Sequence, residues 1–416
     1  MKRRVVSVTA DHREPRVFYG WWIVLAAFLN LFFAVGIVYY GFPLFYPSLI
    51  ESLHFTRQQV TSGVFMGFAL MAPFLGFLVG ALIDRLGARL AILLGTAFVG
   101  GSLVLLGGVY TLGQYYALCF ASVVGYVLAG PIPNQVLIAN WFQAWRGRAM
   151  GYAYLGLGLG GVVAPLLVYE LVATLGWRRA FEAIGALIMI VLFPVGVLVT
   201  RSAPRDLGLL PDGGLLDPAA QSPGAGPASV GRALGRRNFW LLLAGSSLAI
   251  GAIGTVIAHF ILLLRDQGYP ARWASRALSV LLLSSLAGRV VVGYFADRFV
   301  RKNVMAIFYL ALALAIPLLL LHHRSSAVLG FAVLFGFAMG ADYMLIPLVA
   351  ADCFGLADLG KILALIIMAD SLAQTFGPVL AGRIFDLRQS YDLAWLIMTA
   401  AGALGAGAVY LITAED

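Results

Sequence analysis

The chain has 416 residues, of which 61% are hydrophobic and 11% charged, with a mean hydropathy of +0.92; soluble domains have roughly 45–50% apolar and about 25% charged residues. That balance excludes a soluble globular domain and describes a polytopic membrane protein. The net charge of +9 lies mostly in loops, and no cluster of basic and aromatic residues points to nucleic-acid binding.

Apolar stretches of about 20 residues, each enough to cross a ~30 Å hydrocarbon core, recur along the whole chain. Twelve spans are expected, beginning near residues 20, 58, 90, 114, 148, 178, 238, 272, 303, 325, 359 and 391. The first nineteen residues carry Lys2, Arg3, Arg4, Arg13 and Arg16. The full-length apolar run after them has no cleavage site, so it reads as a retained first span and not a removed signal peptide. The N-terminal segment and the loops after spans 2, 4, 6, 8 and 10 hold twice as many lysines and arginines as the opposite loops. This bias places both termini in the cytoplasm. Cys119 and Cys353 fall in spans and read as small core residues.

Residues 201–237, rich in Pro, Gly and Ser, have no helical apolar stripe and form a linker. The expected organisation is a cytoplasmic segment 1–19, a six-helix bundle 20–200, the linker 201–237, a second bundle 238–412 and a tail 413–416. Sliding one half on the other by 213 residues places Gly80, Asp84, Arg85 and Arg89 on Gly293, Asp297, Arg298 and Lys302. The same shift carries Arg148 to Lys361, Pro165 to Pro378 and Gly41 to Gly254. One shift relating several spans indicates a duplicated bundle with internal pseudo-symmetry. Glycines four apart let helices pack closely in lipid. The Asp-Arg ends are either topogenic loop charge or a gating element, with each carboxylate facing a helix N-terminus or an arginine across the two halves.

The stretches GFLVGALIDRLGAR and GRVVVGYFADRFVRK resemble the motif that follows span 2 in the major facilitator superfamily, and the match extends over the whole chain. The resemblance implies an all-α membrane protein of twelve transmembrane helices in two pseudo-symmetric six-helix bundles. It also implies alternating access by rocking of the halves, in which the glycine-rich spans 5 and 8 form much of the sliding contact.

The repeat is broken at a few polar positions in the second half only: Arg289 falls opposite Gly76, Asp342 opposite Ala129, Asp370 opposite Leu157 and His259 opposite Tyr46. An ionised group at mid-bilayer costs roughly 2.5–3.5 kcal/mol on insertion scales, which makes it a functional candidate. Arg289 lies eight residues before Asp297, Asp342 ten before Asp352 and Asp370 nine after Lys361. At 1.5 Å per residue all three sit roughly 12–15 Å from the cytoplasmic edge, in one layer. His259 lies nearer the outer surface, in an outer gate or an upper part of the site. Each of the four has the competing role of a salt bridge or core contact between helices. Tyr126, Gly130 and Asn134 share a face of span 4, loosened by Pro131 and Pro133. Gly251, Thr255 and His259 repeat that pattern on span 7, and Gly336, Gly340, Tyr343 and Pro347 accompany Asp342 on span 10.

Within the superfamily the chain resembles the monocarboxylate transporters. NWFQAWRGRAMGYAYLGLGLGG (140–161) is similar to the signature entering span 5, FGPVLAGRIFD (376–386) to the motif ending span 11, and YGWWIV (19–24) to the opening of span 1. Arg289 matches the family's span 8 arginine, which implies that it binds the substrate carboxylate. Tyr126, Asn134, His259 and Tyr343 are the accompanying binding candidates. Where mammalian-type members have a lysine in span 1 and an aspartate four residues before the span 8 arginine, this chain has Tyr39 and Ser285. Proton coupling is therefore assigned to Asp370, Asp342 or His259, in that order.

The implied partners are a small organic monocarboxylate such as L-lactate or pyruvate, a proton and the lipid bilayer, with no nucleic acid. A six-plus-six bundle encloses a complete pathway, so a monomer suffices. The rival reading is an organic-anion exchanger like the oxalate and formate group, which adds a lysine in span 11; here Lys361 stands only at that span's cytoplasmic entrance. An embedded enzyme or sensor is disfavoured: no paired histidines at metal spacing, P-loop or serine nucleophile motif is present, and the loops are too short for a signalling domain. No cofactor is implied. Short loops look prokaryotic and point to the inner (cytoplasmic) membrane.

Overall fold

The computed structural model describes residues 18–56, 59–60, 62–63, 72–213, 230–356 and 358–413. The basic N-terminal segment 1–17, the linker stretch 214–229, residues 414–416 and the start predicted for span 2 lie outside the described residues. Among the described residues the chain is built of helices. The first bundle holds α1 (Gly20–Leu53), α2 (Ala72–Leu86), α3 (Ala88–Leu106), α4 (Leu112–Trp141), α5 (Arg146–Leu175) and α6 (Trp177–Val199). The second holds α7 (Arg237–Asp266), α8 (Ala271–Arg298), α9 (Arg301–Leu321), α10 (Ser325–Phe354), α11 (Leu359–Arg388) and α12 (Asp392–Tyr410). All except α2 are, in their described parts, long and apolar enough to cross a membrane. Their starts fall within about two residues of those expected from the hydropathy runs.

Local chemistry sets the ends. Thr111 and Gln114 form a reciprocal cap at the start of α4, with Gln114 N donating to Thr111 Oγ1 (3.3 Å) and Thr111 N to Gln114 Oε1 (3.2 Å). Gly87 (φ 85°) turns α2 into α3 and Gly176 (φ 77°) turns α5 into α6, in backbone conformations that favour glycine. α1 widens to π-type bonding over Leu31–Gly41 and tightens over Phe42–Phe45.

The same helix pairs recur in each bundle: α1 with α5 and α7 with α11, α3 with α4 and α9 with α10, α3 with α6 and α9 with α12. Even the struts repeat. Arg89 donates to the carbonyls of Gly196 (3.3 Å) and Val197 (2.6 Å) at the end of α6. Lys302, 213 residues later, donates to Tyr410 O (3.1 Å) and Ile412 O at the end of α12.

Tyr19 Oη donates to Val199 O (2.8 Å), and Asn238 Nδ2 donates to Thr413 O (2.8 Å). The start of α1 and the end of α12 therefore lie on the same face as the linker, which is the lysine- and arginine-rich face. The bundles meet through α2 against α11 and α5 against α8, and through the second segments of α4 (Pro131–Trp141) and α10 (Asp342–Phe354). Those segments run to the linker face, so the seam is closed on that side.

Candidate functional site

Arg289 sits nine residues before the end of α8, only 4% exposed. Its backbone is clamped on two sides by glycines: a Cβ at Gly151 of α5 would lie 2.7 Å from Arg289 O, and one at Gly340 of α10 would lie 2.6 Å from Arg289 N. The side chain crosses the seam, Nη1 donating to Tyr154 O on α5 (3.2 Å), while buried Nε has no hydrogen-bond partner. Gly158, one turn further along α5, leaves the space that the guanidinium and the Leu286 side chain fill. Among the described residues no carboxylate lies within 4.0 Å of this guanidinium.

Two broken helices border it: α10, whose Gly340 abuts Arg289, and α4, whose Gln135 reaches Tyr154. α4 breaks at Gly130 (φ −82°, ψ −139°) ahead of Pro131, and α10 loosens at Gly340 before restarting at Asp342. Asn134 serves the first break: its Nδ2 donates to Ala129 O and Gly130 O (2.7 Å each), and its Oδ1 accepts from Asn30 Nδ2 (3.3 Å). Expected among the ligand contacts, it is fully buried and its amide caps the carbonyls freed by the break. Tyr126 is half-buried one turn earlier, its carbonyl accepting from Gly130 N (2.8 Å). At the second break Asp342 Oδ1 accepts from Tyr343 N (2.7 Å), and Tyr343 O accepts from Gln135 Nε2 (3.1 Å) across the seam. Gln135 Nε2 also donates to Tyr154 Oη (2.5 Å). Asp342, 9% exposed, lies within electrostatic reach of Arg289 without touching it.

Asp370 is fully buried on α11, and its Oδ1 accepts from Ser246 Oγ (2.8 Å) and Ser247 Oγ (2.9 Å) of α7. Asp342 is within its electrostatic reach, so Arg289, Asp342 and Asp370 form one chain of groups. His259 stands apart from that chain. Its ring nitrogens engage Tyr391 Oη (3.1 Å) and Pro378 O (3.0 Å), ties within the second bundle. Gly251 and Thr255 on the same face pack against Ala373 and Gly377 of α11, and Gly336 and Gly340 pack α10 on α8.

The repeated motif closes the linker face. Asp297 Oδ1 accepts from Gly147 N (2.6 Å), and its Oδ2 accepts from Arg148 N (3.1 Å) and Arg148 Nε (3.0 Å) at the start of α5. Asp84 Oδ1 accepts from Gly360 N (3.2 Å) at the start of α11, with Lys361 Nζ 3.8 Å from its Oδ2. A Cβ at Gly80 would lie 2.6 Å from Gly360 O, and one at Gly293 2.7 Å from Gly147 O, so both seams are in backbone contact. The other motif cations do different things: Arg89 is the strut to α6, Arg298 lies over the Tyr294 ring (4.3 Å), and Arg85 is exposed. Asp352 of α10 joins Arg301 (2.5 Å) and Arg146 (3.8 Å), bridging the bundles beside them.

Gln135, Tyr154, Ser246 and Ser247 escaped the sequence reading. The broken repeat contains them all the same, and in both halves instead of the second alone: Ser246 and Ser247 fall opposite Phe33 and Ala34, Gln135 opposite Leu348 and Tyr154 opposite Ile367.

The sequence profile of the Major Facilitator Superfamily matches residues 27–316 and 272–416. The chain is 28% identical over 349 residues to MFS transporter asaE of Aspergillus flavus, covering 82% of this chain and 74% of that one. It is 27% identical over 404 residues to monocarboxylate transporter 13 of Bos taurus, covering 95% and 89%. Its fold matches the crystal structure of the E. coli fucose:proton symporter FucP with a TM-score of 0.71 and 15% identity, over 95% of this chain and 100% of that one. The chain belongs to the Major Facilitator Superfamily, and is a multi-pass membrane transporter of the secondary type and not an enzyme.

Proposed function

We propose that this transporter moves a small monocarboxylate, of the L-lactate and pyruvate type, together with a proton. The observation that carries the reading is Arg289, a buried guanidinium at mid-membrane with no carboxylate within 4.0 Å among the described residues. A buried cation that no carboxylate touches is set to receive an anion. The guanidinium fork suits a carboxylate, through two parallel charge-assisted hydrogen bonds that strengthen at reduced dielectric. The second segments of α4 and α10 begin at the breaks that border Arg289, and a helix N-terminus favours negative charge. The monocarboxylate transporters among the relatives support the same substrate class. Tyr126 and Tyr343 flank the two helix breaks and complete the proposed site. Loading an anion beside Asp342 and Asp370 calls for one of these carboxylates to take a proton, which couples the two fluxes. Substrate must lower the barrier between the two facing states, while the empty, charged site resists switching. The closing element is the Asp84 and Asp297 pair of helix caps, in the membrane orientation that makes the linker face cytoplasmic.

The test is uptake of radiolabelled L-lactate into proteoliposomes of the purified protein, with and without an inward proton gradient and a protonophore. Gradient-driven accumulation that the protonophore abolishes is expected, and Arg289→Ala should lose it while remaining folded and monodisperse in detergent. Wild-type-like uptake by that variant would falsify the assignment. Transport only into vesicles preloaded with an organic anion would replace symport with exchange.

A further inference from the structure

Two carboxylates share a layer with one guanidinium, and their surroundings differ. Asp342 begins the second segment of α10, accepts an amide at that helix start and has Arg289 within electrostatic reach. Each of these features favours the ionised form. Asp370 has none of them. From α7 it receives only the neutral hydroxyls of Ser246 and Ser247, both on Oδ1, and buried Oδ2 has no hydrogen-bond partner. The ionisable groups within its reach are Tyr309 of α9, whose own buried hydroxyl is unpartnered, and Asp342 of α10. Among the described residues no lysine or arginine pairs with it from any of the helices packed on α11. An ionised Asp370 would leave a buried oxygen with no hydrogen-bond donor and a like charge on Asp342 within reach, and burial penalises such an ion.

We propose that the two carboxylates have divided roles: Asp370 keeps its proton throughout the cycle as a neutral tie between α7 and α11, and Asp342 alone exchanges the transported proton. The inference rests on the transport reading given above. In the empty carrier Arg289 and ionised Asp342 balance. When a substrate carboxylate takes the guanidinium, Asp342 takes up a proton from solution on the same side, and the layer is neutral again. Release of substrate returns that proton to solution on the other side. Asp370 enters neither step, since a second ionisation would leave the layer with an uncompensated buried charge.

The decisive comparison sets Asp370→Asn against Asp342→Asn, both in the full-length chain reconstituted in proteoliposomes. Asparagine preserves the shape and the neutral state assigned to Asp370. That variant should keep the ratio of uptake with and without an inward proton gradient within about twofold of wild type, whereas Asp342→Asn should lower the ratio about tenfold or more and still exchange substrate. Loss of the ratio in Asp370→Asn with retention in Asp342→Asn would overturn the division. If Asp370→Asn does not fold, infrared spectra decide. The C=O stretch of a protonated, buried carboxyl must be present at neutral pH in the substrate-free wild-type protein, where Asp342 is ionised, and its absence would also refute the proposal. A wild-type protein that takes up no monocarboxylate would count against the transport reading, leaving the infrared band to judge Asp370 independently.

Discussion

Replacing Asp297 with asparagine should open the linker-face seam far more than the same change at Asp84, although the two aspartates are equivalent in the repeat. Asp297 accepts three hydrogen bonds across the seam, at 2.6, 3.1 and 3.0 Å, from a side chain only 2% exposed. Asp84 accepts one, at 3.2 Å, its side chain is 10% exposed, and its lysine partner stands off at 3.8 Å. A hydrogen bond to a charged group contributes about 1.5–3 kcal/mol. Asparagine keeps one acceptor, and the amides regain water when the seam opens, so the net loss is about 3 kcal/mol at Asp297 and about 1 kcal/mol at Asp84. At a factor of ten per 1.4 kcal/mol, these losses shift the population of the open form by roughly 100-fold and roughly fivefold. Spin labels at Leu198 and Leu411, exposed at the ends of α6 and α12, would report the change as a longer distance component. Equal shifts in the two variants, or a larger one at Asp84, would show that the closing energy does not reside in these caps.

Three further outcomes follow from individual contacts. A methyl at Gly158 would overlap Arg289 Nη1 and the Leu286 side chain; because both are ends of flexible side chains, Gly158→Ala should fold normally and raise the half-saturation concentration for lactate about tenfold, ~1.4 kcal/mol. An unchanged value would mean that the guanidinium does not hold substrate in this position. Asn134→Ala frees two buried carbonyls at the α4 break and should lower stability by about 1–3 kcal/mol, read as a drop in thermal unfolding temperature in detergent. If stability holds and only substrate affinity falls, Asn134 is a ligand contact instead of a cap. Gly80→Val would push a side chain into the Gly360 backbone, and cysteine cross-linking of α2 to α11 at the linker face should fall as that seam is forced apart; cross-linking at the wild-type rate would rule out the close approach.

The duplicated architecture and the starts of every span but the second could be read from the sequence, because apolar length and a repeated glycine-and-charge pattern are imposed locally by the bilayer. Breaks in the repeat also led directly to Arg289, Asp342, Asp370 and His259, since a charge inside the membrane stands out against an apolar background. What those residues touch depends on helix rotation and on the opposite half, which no single segment encodes. Arg85, Arg89 and Arg298 share one motif, yet only tertiary packing makes Arg89 a strut to α6, lays Arg298 on Tyr294 and leaves Arg85 exposed. Asn134 has the composition of a ligand contact and became a cap because Gly130 breaks the helix beneath it. Asp342 and Asp370 look alike in sequence. The fold alone gives one a helix start near a guanidinium and the other two serine hydroxyls in the buried α7–α11 seam, and burial with different partners is what separates the chemistry of identical side chains.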